Sequence, residues 1–154
     1  MPGYVLDASI WIRIGRHHPP DIFKRLWTAL DGAIASGVAC SPEEVLHELA
    51  RGTDGLDKLL SGKKGLFIPL DEPLQLAVAA VLAQCRTLAE PEAERNRADP
   101  FVVALAQLHG HTVVTGERPR RDPSGRMKIP DACDRLGIPW MDWFAFLRAT
   151  GWEL

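Results

Sequence analysis

Four acidic side chains stand where a folded chain of this pattern would bring them together. Asp7 and Glu117 each follow a short apolar run typical of a buried strand. Asp99 stands directly before Pro100 at the start of an apolar helical pattern, and Glu48 lies among apolar residues of another predicted helix. Because like charges at short range disfavour ionisation, four carboxylates need a counter-charge. Mg²⁺ or Mn²⁺ would supply it, since both take oxygen ligands and can activate water for phosphodiester hydrolysis.

Two of these acids lie in the stretch Arg97–Glu117, which predicts one helix followed by one buried strand. Asp99 is expected at the N-cap, with Pro100 at the first helical position, where a missing N–H costs no hydrogen bond. The run His111–Thr115 is typical of a strand buried on both faces of a parallel sheet. It ends in a polar turn at Glu117, and ligands of open α/β sheets bind at that edge.

The other two acids each have a structural alternative. An aspartate followed by a hydroxyl two residues on, as Asp7 is by Ser9, can hold a metal or a phosphate, and capping of the next helix is equally consistent. Ser41 and Glu44 match a capping box around Pro42, which gives Glu44 a structural role. Glu48 lies one turn further, where a carboxylate among apolar neighbours is costly unless it meets a cation. The structural alternative for Glu48 is a partly exposed position on the surface, with no cation bound.

A basic loop follows Glu117. It carries Pro and Gly, and Asp122 is its one acid. Its cations are Arg118, Arg120, Arg121, Arg126 and Lys128. A flexible solvated loop and a grip on a phosphodiester backbone beside the acidic pocket are both consistent with this composition.

Length and composition indicate one soluble domain over residues 1–154. The net charge of −2 argues against wholesale polyanion binding and leaves a local basic patch possible. Three cysteines without paired spacing, and no signal peptide, indicate a reducing cytoplasm. No apolar run is long enough for a membrane span. The segment Glu90–Arg97 is expected to be a charged link between two helices.

Strands alternate with helices along the chain, which predicts an α/β fold with a mostly parallel sheet and helices on both faces. In such a sheet Asp7, Glu48, Asp99 and Glu117 would converge at one edge. The helix through Leu74–Leu88 is apolar nearly all round, so it is expected in the core or at a subunit contact.

Four motifs then carry a resemblance. They are Asp7-Ala-Ser9 after the first strand, Val45-Leu-His-Glu48-Leu49 in an early helix, Ala98-Asp99 at a later helix and Val114-Thr115-Gly-Glu117 after a strand. In this order they resemble the PIN domain, and most of all the VapC-type toxin ribonucleases of toxin–antitoxin pairs. The resemblance implies a three-layer α/β/α sandwich and a Mg²⁺- or Mn²⁺-dependent endoribonuclease. It also implies a homodimer and a cognate antitoxin partner.

By this resemblance Asp7, Glu48 and Asp99 match the family's acids, and Ser9 and Thr115 match its hydroxyl positions, which steady a ligand or the local turn. Glu117 stands where the family usually has aspartate, so Asp131, or less favourably Asp122, is the alternative for completing the site. The sequence after Lys128 is longer than in compact toxins of this type, which indicates a divergent branch.

The hypothesis is therefore a ribonuclease in which Asp7 and Asp99 are the principal metal ligands. Glu48 and Glu117 would bind a second ion or orient water, and Arg118, Arg120 and Arg121 would position the RNA backbone. One alternative is an α/β phosphatase with a nucleophilic aspartate, but that chemistry often wants a second acid where Ser9 stands. The other is a catalytically silent binding module with a nuclease-like fold.

Overall fold

A computed structural model describes residues 3–89 and 97–154 of the chain, so most of the predicted link Glu90–Arg97 lies outside the described residues. The described residues form five strands: β1 (Tyr4–Leu6), β2 (Ala39–Pro42), β3 (Phe67–Ile68), β4 (Thr112–Val114) and β5 (Trp140–Met141). Their helices are α1 (Ala8–His17), α2 (Lys24–Ala35), α3 (Glu43–Leu49), α4 (Leu56–Ser61), α5 (Glu72–Gln84), α6 (Asp99–His109), α7 (Ile129–Leu136) and α8 (Trp143–Thr150). None of the helices in these ranges is long and apolar enough to cross a lipid bilayer.

The strands form one sheet in the order β3-β2-β1-β4-β5, and every pair is parallel. Tyr4 of β1 stands opposite Ala39 of β2 on one side and Thr112 of β4 on the other. The chain builds outward from β1 to β3 and then returns to the other side of β1 with β4. Because crossovers between parallel strands are right-handed as a rule, connections in both directions are expected to put helices on both faces of the sheet. The predicted α/β class with a mostly parallel sheet is confirmed, and the observed sheet is wholly parallel.

Helix α6 is the centre of the core. Its five consecutive residues Val102–Ala106 are all buried, and it packs against α5, α7, β1 and β2. It ends at Gly110, whose φ of 66° is a left-handed conformation that glycine adopts without a Cβ clash. A helix that is apolar on all sides must be surrounded by protein.

Helix α5 is buried on one face only in the described chain, so the expectation of a place within the core is wrong for its other face. Leu74, Val78 and Val81 are buried, while Leu76 is 66% exposed. The helix also ends at Gln84, four residues before the predicted end at Leu88. The alternative, a subunit contact through the exposed face, stays a prediction.

Candidate functional site

The carboxyl ends of β1 and β4 meet at the point where the strand order reverses, and ligands of open α/β sheets bind at this position. Asp7 follows the last residue of β1, and Thr115 follows the last residue of β4. The Asp7 N–H donates to the Val114 carbonyl at 3.1 Å, and the Thr115 N–H donates to the Met141 carbonyl at 3.0 Å. The sheet pairing therefore fixes the backbone on both sides of this edge.

The Asp7 carboxylate is held by three donors. Oδ1 accepts from the Ser9 hydroxyl and, at 3.3 Å, from the Ile10 N–H, so Asp7 also caps α1. Oδ2 accepts from the Thr115 hydroxyl at 2.6 Å. Because a carboxylate has about four acceptor positions, these bonds leave one on Oδ2 for another partner. Burial raises the pKa of Asp7 to about 6, although the hydrogen bonds from Ser9 and Thr115 oppose this increase.

The two hydroxyls also build the turn after β4. Ser9 Oγ accepts from the Gly116 N–H at 2.9 Å, and Thr115 Oγ1 accepts from the Glu117 N–H at 3.0 Å. A Cβ at Gly116 would lie 3.2 Å from Ser9 Oγ, so a larger residue would crowd this contact. Each hydroxyl thus donates to Asp7 and accepts from the backbone that leads to Glu117.

Asp99 is the most strongly perturbed acid of the site. It is the first residue of α6, with Ala98 at the N-cap, so the predicted N-cap position is wrong by one residue. The side chain is buried, and its Oδ2 has no hydrogen-bond partner within residues 3–89 and 97–154. A counter-charge lies nearby in the Arg126 guanidinium, with Nη1 3.6 Å from Oδ2.

The pKa of Asp99 rises to about 9. Burial is the largest cause, and repulsion from Glu117, Asp7 and Glu48 adds to it, while Arg126 opposes it. These three neighbours are the other predicted acids, so the structure brings all four carboxylates into electrostatic contact. The raised pKa therefore favours the protonated form of Asp99 when no metal ion is bound.

Glu48 reaches the site from α3. Its Oε1 accepts from the Ala98 N–H at 2.9 Å, so this carboxylate, rather than that of Asp99, binds the backbone N–H at the start of α6. Burial raises its pKa above the ordinary range, and Glu117 contributes a smaller increase. The expected capping box ahead of it is absent, because α3 begins at Glu43 with Pro42 as N-cap.

Ser41, expected as that N-cap, has another role. It is fully buried, donates to the Leu6 carbonyl at 2.6 Å and accepts from Trp11 Nε1 at 2.9 Å. It therefore joins β2 to the last residue of β1 and to α1, next to Asp7. Sequence reasoning did not find this contact, because a serine before Pro-Glu-Glu carries a strong capping signal.

Glu117 and Asp131 close the base of the basic loop. Glu117 Oε2 accepts from the Ile129 N–H at 2.8 Å, at the first residue of α7. Asp131 accepts from the Lys128 N–H at 2.8 Å and from the Arg120 N–H at 3.2 Å. Asp131 therefore binds the two ends of the loop. The other alternative, Asp122, is exposed and accepts from Ser124 within the loop.

The basic side chains of the loop line an open groove of about 540 Å³. Arg118, Arg120 and Arg121 line it together with Arg126, whose guanidinium also approaches Asp99. Arg126 is oriented by bonds from Nη1 to the Leu88 and Met127 carbonyls, both at 3.0 Å. Its role as the counter-charge of Asp99 had no signal in the sequence beyond its place in a basic loop.

The donor set suits a hard divalent cation, because all four acids offer oxygen and because Asp99 Oδ2 is buried without a hydrogen bond. The high pKa of Asp99 also indicates that Arg126 alone does not offset burial and the three neighbouring acids. Within residues 3–89 and 97–154, no three of these side chains stand close enough to form a ready coordination shell. Ligation by three carboxylates would therefore require one or more of Glu48, Asp99 and Glu117 to move toward an ion beside Asp7.

A comparison with protein-family profiles assigns the chain. The profile described as a domain of unknown function, DUF4411, matches residues 4–154. The chain belongs to the DUF4411 family. None of the curated proteins matches this DUF4411 chain.

Solved structures resemble the DUF4411 fold at low sequence identity. FitAB bound to an IR36 DNA fragment has a TM-score of 0.52 and 19% identity, over 90% of this chain and 94% of the other. VapBC-1 from nontypeable Haemophilus influenzae has a TM-score of 0.52 and 15% identity, over 92% of this chain and 98% of the other. The similarity confirms the predicted PIN-like α/β fold.

Proposed function

We propose that this DUF4411 protein is a Mg²⁺- or Mn²⁺-dependent endoribonuclease that hydrolyses RNA phosphodiester bonds. One observation carries the proposal. A buried carboxylate with an unpartnered oxygen, Asp99, lies among three other acids at the switch point of a parallel sheet. Such a cluster costs free energy in the folded state, and a bound divalent cation would offset that cost.

Asp7 and Asp99 are the proposed principal ligands. Asp7 is oriented by Ser9 and Thr115, so its remaining acceptor position on Oδ2 has a fixed direction. A bound ion would supply Lewis-acid stabilisation of the phosphate and a water of lowered pKa. Glu48 and Glu117 are proposed to hold a second ion or to orient the attacking water through hydrogen bonds.

The basic loop is proposed to hold the RNA backbone. Arg118, Arg120 and Arg121 line the same groove as Arg126, which lies beside Asp99. Guanidinium groups bind phosphate oxygens through paired N–H donors. A strand held in this groove would therefore pass close to the acids.

Cleavage of a mixed pool of cellular RNA tests the nuclease directly. Purified wild type is expected to give discrete products with Mn²⁺ and none with EDTA. Asp99→Asn keeps the size and shape of the side chain and is expected to abolish cleavage. Asp57→Asn, at a half-buried position on α4, is a matched control and should cleave as wild type does. Equal cleavage by Asp99→Asn and wild type would refute the assignment.

The physiological role is proposed to be that of a cytoplasmic toxin with a cognate antitoxin and a homodimeric state. The support is the fold shared with FitAB and VapBC-1. Expression of wild type in a bacterial host is expected to stop growth, whereas expression of Asp7→Asn is not.

Sedimentation of the purified chain tests the proposed homodimer, and a monomer at micromolar concentration would contradict it. Rescue of growth by a protein encoded beside the chain's gene would identify the antitoxin.

The silent binding module is the second candidate, because the chain partly neutralises its own acids. The Asp7 carboxylate accepts hydrogen bonds from three donors, and Arg126 lies beside Asp99. Calorimetric titration with Mn²⁺ separates the two candidates, since a nuclease must bind the ion and a silent module need not. The phosphatase alternative has less support, because both oxygens of Asp7 accept hydrogen bonds, which weakens it as a nucleophile.

A further inference from the structure

A second groove lies behind the basic loop, between the loop, the end of α5 and α7. It has a volume of about 410 Å³, and its lining includes the guanidinium-bearing residues Arg86, Arg120 and Arg135. No acidic residue lines it among the described parts of the chain. Three arginines with no acid among the described lining residues favour the binding of an anion.

Two of the three arginines are held in place by backbone carbonyls. Arg120 Nη1 donates to the Gly125 carbonyl at 2.9 Å, and Arg135 Nη1 donates to the Gln84 carbonyl at 2.9 Å. A guanidinium has five N–H donors, so one such bond orients it while other donors remain to bind an anion. Thr87 also lines the groove, and its Oγ1 accepts from the Met127 N–H at 3.0 Å, so its own proton can be donated.

The second groove adjoins the first. Arg120 and Gly125 line both, so the two grooves flank the same part of the loop. The first groove in turn reaches the acids through Arg126, 3.6 Å from Asp99. Basic side chains therefore line both grooves, from Arg126 beside the acidic cluster, through Arg120, to Arg86 and Arg135.

We infer that the groove of Arg86, Arg120 and Arg135 binds backbone phosphate of a single-stranded RNA at a distance from the bond that is cut. The inference rests on the proposed nuclease function and adds a second phosphate site to it. Phosphodiester oxygens are its ligand chemistry, because paired guanidinium donors match them. A polymer is favoured over a small phosphate, because the groove is open and adjoins the groove beside the acids.

Binding of a labelled 12-nucleotide single-stranded RNA in EDTA tests the inference without cleavage. Arg86→Ala/Arg135→Ala is expected to weaken binding roughly tenfold. The slope of log affinity against log salt should also become shallower, by about 0.7 for each phosphate that the variant no longer binds. Arg16→Ala/Arg148→Ala removes the same charge from exposed positions outside both grooves and should bind as wild type does. Equal affinities for these two double variants would overturn the inference.

Arg135 bonds to α5, so its loss could disturb folding. Arg86→Glu changes an exposed side chain instead and leaves the bond between Arg135 and Gln84 in place. It should weaken binding more than Arg148→Glu does. No difference between these two single variants would also overturn the inference.

RNA cleavage by wild type in Mn²⁺, measured in parallel, separates the two proposals. Cleavage by wild type together with unchanged binding by the Arg86 variants would refute the second groove and leave the nuclease standing. Binding that depends on Arg86 without cleavage would support the groove and count against the nuclease. Inorganic phosphate that competes equally well at equal phosphate concentration would show a small-anion site and overturn the RNA assignment.

Discussion

Replacement of Asp99 by Asn should stabilise the metal-free protein at neutral pH. In the unfolded chain Asp99 ionises near its ordinary pKa of 3.8, whereas in the folded protein its pKa is about 9. Between these values the folded state binds a proton that the unfolded state has lost. The free energy of unfolding therefore falls as pH rises from about 4 to 9.

The size of the stabilisation follows from the difference between the pKa of Asp99 in the unfolded and in the folded chain. At pH 7, which is roughly three pH units above the pKa of Asp99 in the unfolded chain, Asp99 must take up a proton when the chain folds. Each of these pH units costs about 1.4 kcal/mol of folding free energy. Asn is neutral in both states and avoids this cost. Asp99→Asn is therefore expected to raise the free energy of unfolding at pH 7 by about 2 to 4 kcal/mol, where the lower value allows for relaxation of the neighbouring acids. In a chain of this size that corresponds to roughly 5 to 15 °C in Tm.

Urea unfolding in EDTA at pH 5, 7 and 8.5 is the assay. The difference between Asp99→Asn and wild type should grow with pH, and saturating Mn²⁺ should reduce it by stabilising wild type alone. Asp57→Asn serves as the control, because that carboxylate lies on α4, away from the cluster. Destabilisation by Asp99→Asn, or a difference that does not depend on pH, would refute the electrostatic reasoning.

Three further outcomes are expected. Ser41→Ala leaves Trp11 Nε1 unpaired in the core, so urea unfolding should show a loss of about 1 to 3 kcal/mol, and an unchanged midpoint would contradict the bond. Thr115→Val removes a hydrogen-bond donor that lowers the pKa of Asp7, so calorimetry between pH 6 and 8 should show that Mn²⁺ binding requires a higher pH than in wild type. The same pH profile in both proteins would contradict a role of Thr115 in keeping Asp7 ionised. Mn²⁺ binding at pH 7.5 should release protons, because the most perturbed acid must ionise; binding enthalpies that agree in two buffers of different ionisation enthalpy would exclude release.

The sequence predicted the strand ends well because the signals there are local. Asp7 and Thr115 each follow a short buried strand, and the parallel sheet brings strand ends to one edge. The alternation of strands and helices likewise predicted the fold class. These features depend on residue type and period, both of which are visible in one sequence.

Contacts between distant residues could not be predicted in the same way. The sequence suggested that Asp99 would cap its own helix, but Glu48, far earlier in the chain on α3, binds the N–H of Ala98 instead. The structural alternative for Asp7 is confirmed, since it caps α1. The same carboxylate also lies near the other acids, and its role as a metal ligand stays a prediction. Local sequence patterns identify the polar groups that need hydrogen-bond or charge partners, and tertiary packing determines which residues those partners are.

The closure of the basic loop by two carboxylates bears on the entropy of binding. Glu117 and Asp131 bond the backbone at both ends of the loop, at Ile129, Lys128 and Arg120. Ordering a backbone residue costs about 1 to 2 kcal/mol in conformational entropy. Here that loss is incurred when the chain folds, so a polyanion that bound the loop would meet a backbone already ordered at both ends. Loss of these hydrogen bonds would therefore weaken binding of a polyanion without removing any positive charge from the loop.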